Sequence, residues 1–157
     1  MVGKHPPVPR FPFREKGSHT ALVASANVEL VRKIYDAWVR GDYATGYAFD
    51  PHVVYLRVQT EGGIGLAGEW RGKEEMRSAM TEFLDTWENL TVEAEHFHED
   101  GDRVLALNRY RGRGRRSGLE VDHQGGDLFT LRDGRIVRWE SYWDRAAAVS
   151  AAGLEGN

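Results

Sequence analysis

The chain has no cysteine among its 157 residues. That removes disulfides, thiolate zinc sites and cysteine nucleophiles together. Proline is nearly confined to one place, with Pro6, Pro7, Pro9 and Pro12 in the opening residues and only Pro51 beyond them. No stretch approaches the ~18 apolar residues of a membrane span. The basic opening MVGKHPPVPRFPFREKG lacks the continuous apolar run of a secretory signal, so a cytoplasmic location and no membrane partner are expected. Neither sign of charge dominates. A formal net charge of -3 gives no overall electrostatic case for nucleic acid or an anionic membrane.

What is present is ordinary for one soluble domain. Hydrophobic residues make up 41% and charged residues 29%, at a length that buries a substantial core. The proline-rich residues 1–24 read as an extended or disordered arm, and residues 25–157 as the folded domain.

The first regular pattern runs from Asn27 to Arg40. Val28, Val31, Tyr35 and Trp38 recur at helical spacing, widened by Leu30 and Ile34. Ser25 or Asn27 caps its start and Gly41 ends it. A short second helix is expected over Tyr43 to Phe49, stopped by Asp50-Pro51, and then a strand over Val53 to Val58. Glu61 to Gly72 reads as a glycine-rich loop. It contains Gly63-x-Gly65-x-x-Gly68, but a dinucleotide fingerprint needs a helix to follow at once within a parallel unit, and Glu69-Trp70-Arg71-Gly72 intervene. No organic cofactor is expected. Lys73 to Trp87 reads as a helix burying Met76, Met80, Phe83, Leu84 and Trp87.

Beyond it the character changes to strands at Leu90–His98, Arg103–Arg113, Leu119–Leu131 and Arg135–Trp143, separated by glycine-bearing turns. Asp144 to Ala152 reads as a terminal helix. Helices first and a meander afterwards define an α+β protein. Its sheet is expected to be a curved antiparallel one wrapped around a long helix. Leu105 and Leu107 on one face of a strand, with Val104 and Ala106 on the other, imply that both faces are covered, one of them by a second sheet such as a partner subunit's.

The stretch Asp122 to Asp144 carries the candidate chemistry. Asp133-Gly134 joins two alternating runs, a strong hairpin signal. Alternation puts Asp127, Phe129 and Leu131 on one face, and Val137, Trp139, Ser141 and Trp143 together on the facing strand. A carboxylate among aromatics has its pKa raised by desolvation, and so serves as a neutral donor or as a base. The plainer reading is a surface carboxylate opposite an arginine. His123 shares the parity of Asp127 unless Gly125-Gly126 makes a bulge. His96 and His98 continue the face of Leu90, Val92 and Ala94, and a three-histidine metal site with His123 needs the strands in register; no metal is expected. Arg103 to Arg116 is a basic hairpin beside an acidic strand, and reads as a charge-paired, solvated element rather than a nucleic-acid surface. Arg109 or Arg111 meets Asp127 or an anionic ligand if its face turns inward.

The strings NVELVRKIYDAWVRGDY, FDPHVVYL, GEWRGKEEM, LTVEAEHFHEDGDRVLAL, RGRGRRSG and LFTLRDGRIVRWESYWDRAAAVSAAGL, in that order, resemble the SnoaL-like branch of the nuclear transport factor 2-like superfamily. The resemblance covers roughly Asn27 to Leu154. It implies a cone-shaped α+β barrel with an open pocket, a hydrophobic oxygenated small molecule as ligand, and a homodimer. Activity is implied only as a class: a cofactor-independent isomerase, cyclase or hydrolase, with a non-catalytic ligand-binding or dimerisation module as the alternative.

Residue by residue, Tyr35 and Asp127 fall at the oxyanion-hole pair of ketosteroid isomerase, and Trp143 at a substrate-packing aromatic. That enzyme's base falls at Arg57 or Leu56. Against limonene epoxide hydrolase, Tyr55 and Arg109 match, while its two aspartates fall at Arg111 and Ser141. The catalytic aspartate of the SnoaL polyketide cyclase also falls at Ser141. Each mechanism lacks its carboxylate here. The catalytic candidates are Asp127, Tyr35 and His123. The substrate-binding candidates are Tyr55, Arg57, Trp70, Arg109, Phe129, Trp139, Ser141 and Trp143.

Overall fold

The computed structural model describes residues 25–58 and 67–154. The arm and the first half of the glycine-rich loop, including Gly63 and Gly65, lie outside the described residues. Helix α1 spans Ala26–Val39 and is capped by Ser25, whose hydroxyl accepts from the Val28 amide at 3.0 Å. Gly41 takes φ 82° just past its end, a left-handed position that glycine adopts without steric cost. The helix buries Val31, Ile34, Tyr35 and Trp38.

The expected second helix is only a 3-10 turn, Gly46–Ala48. Strand β1 begins directly after it and runs Phe49–Val58, with Pro51 in its first residues, where a missing N–H is tolerated. Gly68–Arg71, expected as loop, forms a short strand β2 against β1. Gly68 therefore opens a strand rather than a helix. Helix α2 is Lys73–Asp85. Trp87 starts the next strand rather than ending the helix.

Strands β3 (Trp87–Asp100), β4 (Arg103–Gly114), β5 (Glu120–Arg132) and β6 (Arg135–Tyr142) follow, then helix α3 (Arg145–Ala151) with Asp144 as its cap. They form one sheet in the order β2-β1-β6-β5-β4-β3. All pairs are antiparallel except β1 with β6, which is parallel. The sheet curves but does not close, so the cone is an open sheet rather than a complete barrel. The β5–β6 turn is Asp133-Gly134, with φ 52° and 78°, the two left-handed residues of a type I′ hairpin.

Bulges do part of the bending. Register shifts between Ala94 and His96 on β3, leaving Glu95 extra. Phe97 is thereby turned to the inner face opposite Ala106, while His96 and His98 turn outward opposite Leu107 and Leu105. This corrects the face expected for the two histidines and separates them from His123. A second bulge leaves Val137 extra between Arg138 and Ile136. Ile136, not Val137, is therefore the fully buried residue at that end of β6.

The inner face packs on α1 through Phe49, Val53, Val104, Phe129, Leu131 and Ile136, each such side chain contributing about 1.5–3 kcal/mol by burial. The outer face carries Leu105, Leu107, Leu128 and Tyr142, covered by Ala148, Ala152 and Leu154 of the C-terminal segment. The two-faced β4 is thus satisfied within the chain, not by a partner's sheet. Among the described residues no helix is long and apolar enough to cross a membrane.

Candidate functional site

Cross-strand register sets the site. One row across the inner face reads Gly68, Arg57, Ser141, Asp127, Ala106, Phe97, and the next reads Trp70, Tyr55, Trp139, Phe129, Val104. Directly opposed residues that carry a Cβ stand about 4.5–5.5 Å apart there, which brings the side chains of each row together.

Asp127 is fully buried. One carboxylate oxygen accepts from the Tyr35 hydroxyl and from Asn108 Nδ2 at 2.7 Å; the other accepts from Trp139 Nε1 at 2.9 Å. Asn108 Nδ2 also donates to the Tyr35 hydroxyl oxygen at 3.1 Å. The Ser141 hydroxyl adds a polar contact to the same carboxylate. Burial pushes the Asp127 carboxyl above its ordinary range, opposed by its contacts with Tyr35, Trp139, Ser141 and Asn108. Burial, then the charge of Asp127, holds the Tyr35 phenol well above its usual value. Tyr35 and Asp127 meet, as the family correspondence implied. They spend their donors and acceptors on each other and on Asn108, behind the wall of the cavity rather than in it.

The cavity lies between α1, α2 and the inner face. The cavity opens to solvent, with a volume of about 50 Å³ within about 620 Å³ of empty space that includes the mouth. Its walls are close together and largely aromatic: Trp38, Tyr43, Tyr55, Phe83, Tyr110, Trp139 and Trp143. Tyr55 stacks on Trp139 at 4.1 Å between centroids and on Trp70 at 5.3 Å. The polar residues of the lining are Arg57, Ser141 and the tyrosines Tyr43, Tyr55 and Tyr110, while Tyr142 turns its hydroxyl away to Glu140 at 2.7 Å. Burial raises the pKa of Tyr43, Tyr55 and Tyr110, so these phenols remain protonated donors at neutral pH.

Of the residues picked out in the sequence, Tyr55, Arg57, Trp139, Ser141 and Trp143 line this cavity, and Trp70 stands beside it, stacked on Tyr55. Phe129 is fully buried behind the wall, against Tyr35 and Trp139. Arg109 is on the outside, where it grips Asp122 at 2.6 and 2.9 Å. The β4 register allows nothing else, because Asn108 and Tyr110 take the inward positions on either side. No bulge forms at Gly125-Gly126, and β4 and β5 pair without interruption from Arg103–Thr130 to Arg113–Glu120. His123 therefore does share the face of Asp127. Its ring lies flat on Trp143 at 3.9 Å, with Nε2 2.5 Å from the Trp143 carbonyl oxygen. It supports a cavity wall and is not itself in the lining. Among the described residues no three metal-ligating side chains converge.

Asn108, Tyr43 and Tyr110 were not picked out. Asn108 had a signal: it is an amide directly following the apolar run Val104 to Leu107 and shares the parity of Ala106.

The profile of the SnoaL-like domain matches residues 31–139. An uncharacterized protein of Mycobacterium tuberculosis is 30% identical over 134 residues, 83% of this chain and 98% of its own length. The chain belongs to the SnoaL-like domain family. Among solved structures, an NTF2-like protein of unknown function from Burkholderia pseudomallei superposes with a TM-score of 0.68 at 22% identity, covering 85% of this chain and 99% of that one. TerC, co-crystallised with polyporic acid, gives 0.65 at 22% identity, covering 83% and 98%. At such identities these structures share the fold alone.

Proposed function

We propose that this chain is a small-molecule pocket protein acting on a hydrophobic, oxygenated metabolite, as a cofactor-independent isomerase, cyclase or hydrolase. The observation that carries the reading is Ser141. It lines the aromatic cavity and stands directly opposite Asp127 in the β5–β6 register, with the buried carboxylate behind it. A substrate oxygen at this point meets neutral phenol donors from Tyr55 and Tyr110. A proton leaving the substrate passes to the Ser141 oxygen as the Ser141 proton passes to Asp127, whose raised pKa suits a base working nearer neutrality. Tyr35, Asn108 and Trp139 hold that carboxylate in place. TerC, which shares the fold, was co-crystallised with polyporic acid, and that supports a small organic ligand for this cavity too.

The alternative, a non-catalytic binding module, is favoured by one observation: no carboxylate or histidine lines the cavity among the described residues. A thermal-shift screen of hydrophobic oxygenated metabolites, followed by mass spectrometry of the recovered compound, separates the two. Turnover that disappears in Ser141→Ala while the ligand still protects the fold supports catalysis. A protecting compound recovered unchanged supports the binding module. Homodimerisation, expected from the family, belongs to the same reading; a light-scattering mass equal to one chain would remove it.

A further inference from the structure

We infer that the cavity takes an anionic ligand, a conjugated or aromatic carboxylate whose charge is received by Arg57 while its flat apolar body lies along the aromatic walls. This rests on the reading of that cavity as the ligand site, and it adds the ligand's charge.

A half-buried guanidinium costs free energy unless it is paired. The other half-buried arginines obey that rule. Arg109 pairs with Asp122 at 2.6 Å, Arg145 with Glu95 at 2.7 Å and Arg103 with Asp100 at 3.8 Å. Arg57 has no carboxylate within 4.0 Å among the described residues, although it lines the cavity. Its Nε and Nη2 donate to the Tyr55 hydroxyl oxygen at 3.3 and 3.1 Å, and Nη2 to the Ala79 carbonyl at 3.3 Å. These bonds leave Nη1 without a partner among the described residues. The guanidinium is also wedged against the rings of Trp70 at 4.9 Å, Phe83 at 5.1 Å and Tyr55 at 5.5 Å. Those contacts hold the cation still, so its ordering is already complete before a ligand arrives.

The rest of the lining agrees. It holds no Asp or Glu to repel an anion or to compete for Arg57. Tyr43 contributes a buried hydroxyl with no partner among the described residues, a second donor in the same cavity for a ligand oxygen. The narrow room between aromatic walls selects thin ligands over bulky ones.

The test compares 2-naphthoate with its neutral isostere 2-naphthamide by calorimetric titration at pH 7.5. The carboxylate should bind at least roughly tenfold more tightly to the unaltered protein, as a charge-assisted hydrogen bond requires. Arg57→Met should erase that preference while leaving naphthamide affinity within about twofold, and the retained naphthamide binding certifies the folded cavity. Arg57→Lys should keep a reduced preference, because the charge survives without the planar fork. Equal affinities in the unaltered protein would overturn the inference and leave the cavity standing as a neutral-ligand site. Binding of neither compound would overturn the cavity reading and this inference with it.

Discussion

The cluster around Asp127 and the arginine hairpin of β4 and β5 are both dense in polar side chains, and they behave in opposite ways. In the hairpin, Arg113 meets Glu120 at 2.8 Å and Arg111 meets Glu93 at 3.0 Å, all about half exposed or more. Water competes for each charge, so loss of a partner is repaired by solvent. Around Asp127 no water competes, since Asp127 and Asn108 are fully buried and Tyr35 is 2% exposed. Each donor there depends on the one carboxylate. Conspicuous charge therefore sits where it matters least, and the single acid embedded in an apolar face sits where it matters most.

Removing the acid should have the largest effect. Asp127→Ala strands the Tyr35 hydroxyl proton and the Trp139 indole N–H and leaves Asn108 Nδ2 only its bond to the Tyr35 oxygen, and an unsatisfied buried donor costs about 1–3 kcal/mol. A loss of about 3–5 kcal/mol in unfolding free energy is expected from urea titration. Asp127→Asn retains one acceptor oxygen and should lose less. If Asp127→Ala unfolds with the midpoint of the unaltered protein, the cluster is not the keystone its geometry indicates.

A change of pH should pull the two regions in opposite directions. The folded pKa of Asp127 is raised, so the native state binds more protons than the unfolded one between the ordinary aspartate value and the raised one. Stability from this group is fully present below the unfolded pKa and is lost as pH rises through the folded pKa. Asp122, whose carboxyl Arg109 pulls down, does the reverse: its contribution is present above the unfolded pKa and is lost as pH falls through the folded one. A melting-temperature profile through the acid range should therefore change slope in Asp127→Asn, losing the component that favours low pH. In Asp122→Asn the component that favours high pH should go instead. An unaltered profile in Asp127→Asn would mean that burial and its hydrogen bonds cancel at that carboxyl.

The sequence made some of this legible and concealed the rest for identifiable reasons. Helix α1 and the β5–β6 hairpin were readable because each is set by near-neighbour spacing: a 3.6-residue stripe, a serine cap, an Asp-Gly turn. Asp127, Trp139 and Ser141 sharing a wall followed from alternation alone. The bulges at Glu95 and Val137 were not readable, because an extra residue is decided by what the facing strand demands. Glu95 was enough to reverse the side taken by His96 and His98, and Val137 that taken by Ile136. Arg109 went outward for a similar reason: its direction depends on which parity of β4 holds Asn108. Gly125-Gly126 looked like a bulge. A Cβ on Gly125 would instead lie 2.7 Å from the Tyr142 carbonyl oxygen and one on Gly126 2.6 Å from Ala148 Cβ, so the pair marks close packing of β5 under β6 and α3. The cover over Leu105 and Leu107 was misplaced because alternation shows that a face is buried and does not show by what.

The smallest effect should come from the most visible charges. Glu120→Gln removes the carboxylate that Arg113 holds through Nε at 3.2 Å and Nη2 at 2.8 Å, good geometry for an ion pair. Yet Glu120 is 74% and Arg113 51% exposed at the side chain, so both groups are well hydrated when apart. Ordering two long side chains offsets most of the attraction that remains. The expected loss is about 0.5 kcal/mol or less in urea titration, shrinking further at high salt. A loss comparable to that of Asp127→Ala would break the contrast, since it would require the hairpin pair to be shielded from water by something seated on that surface.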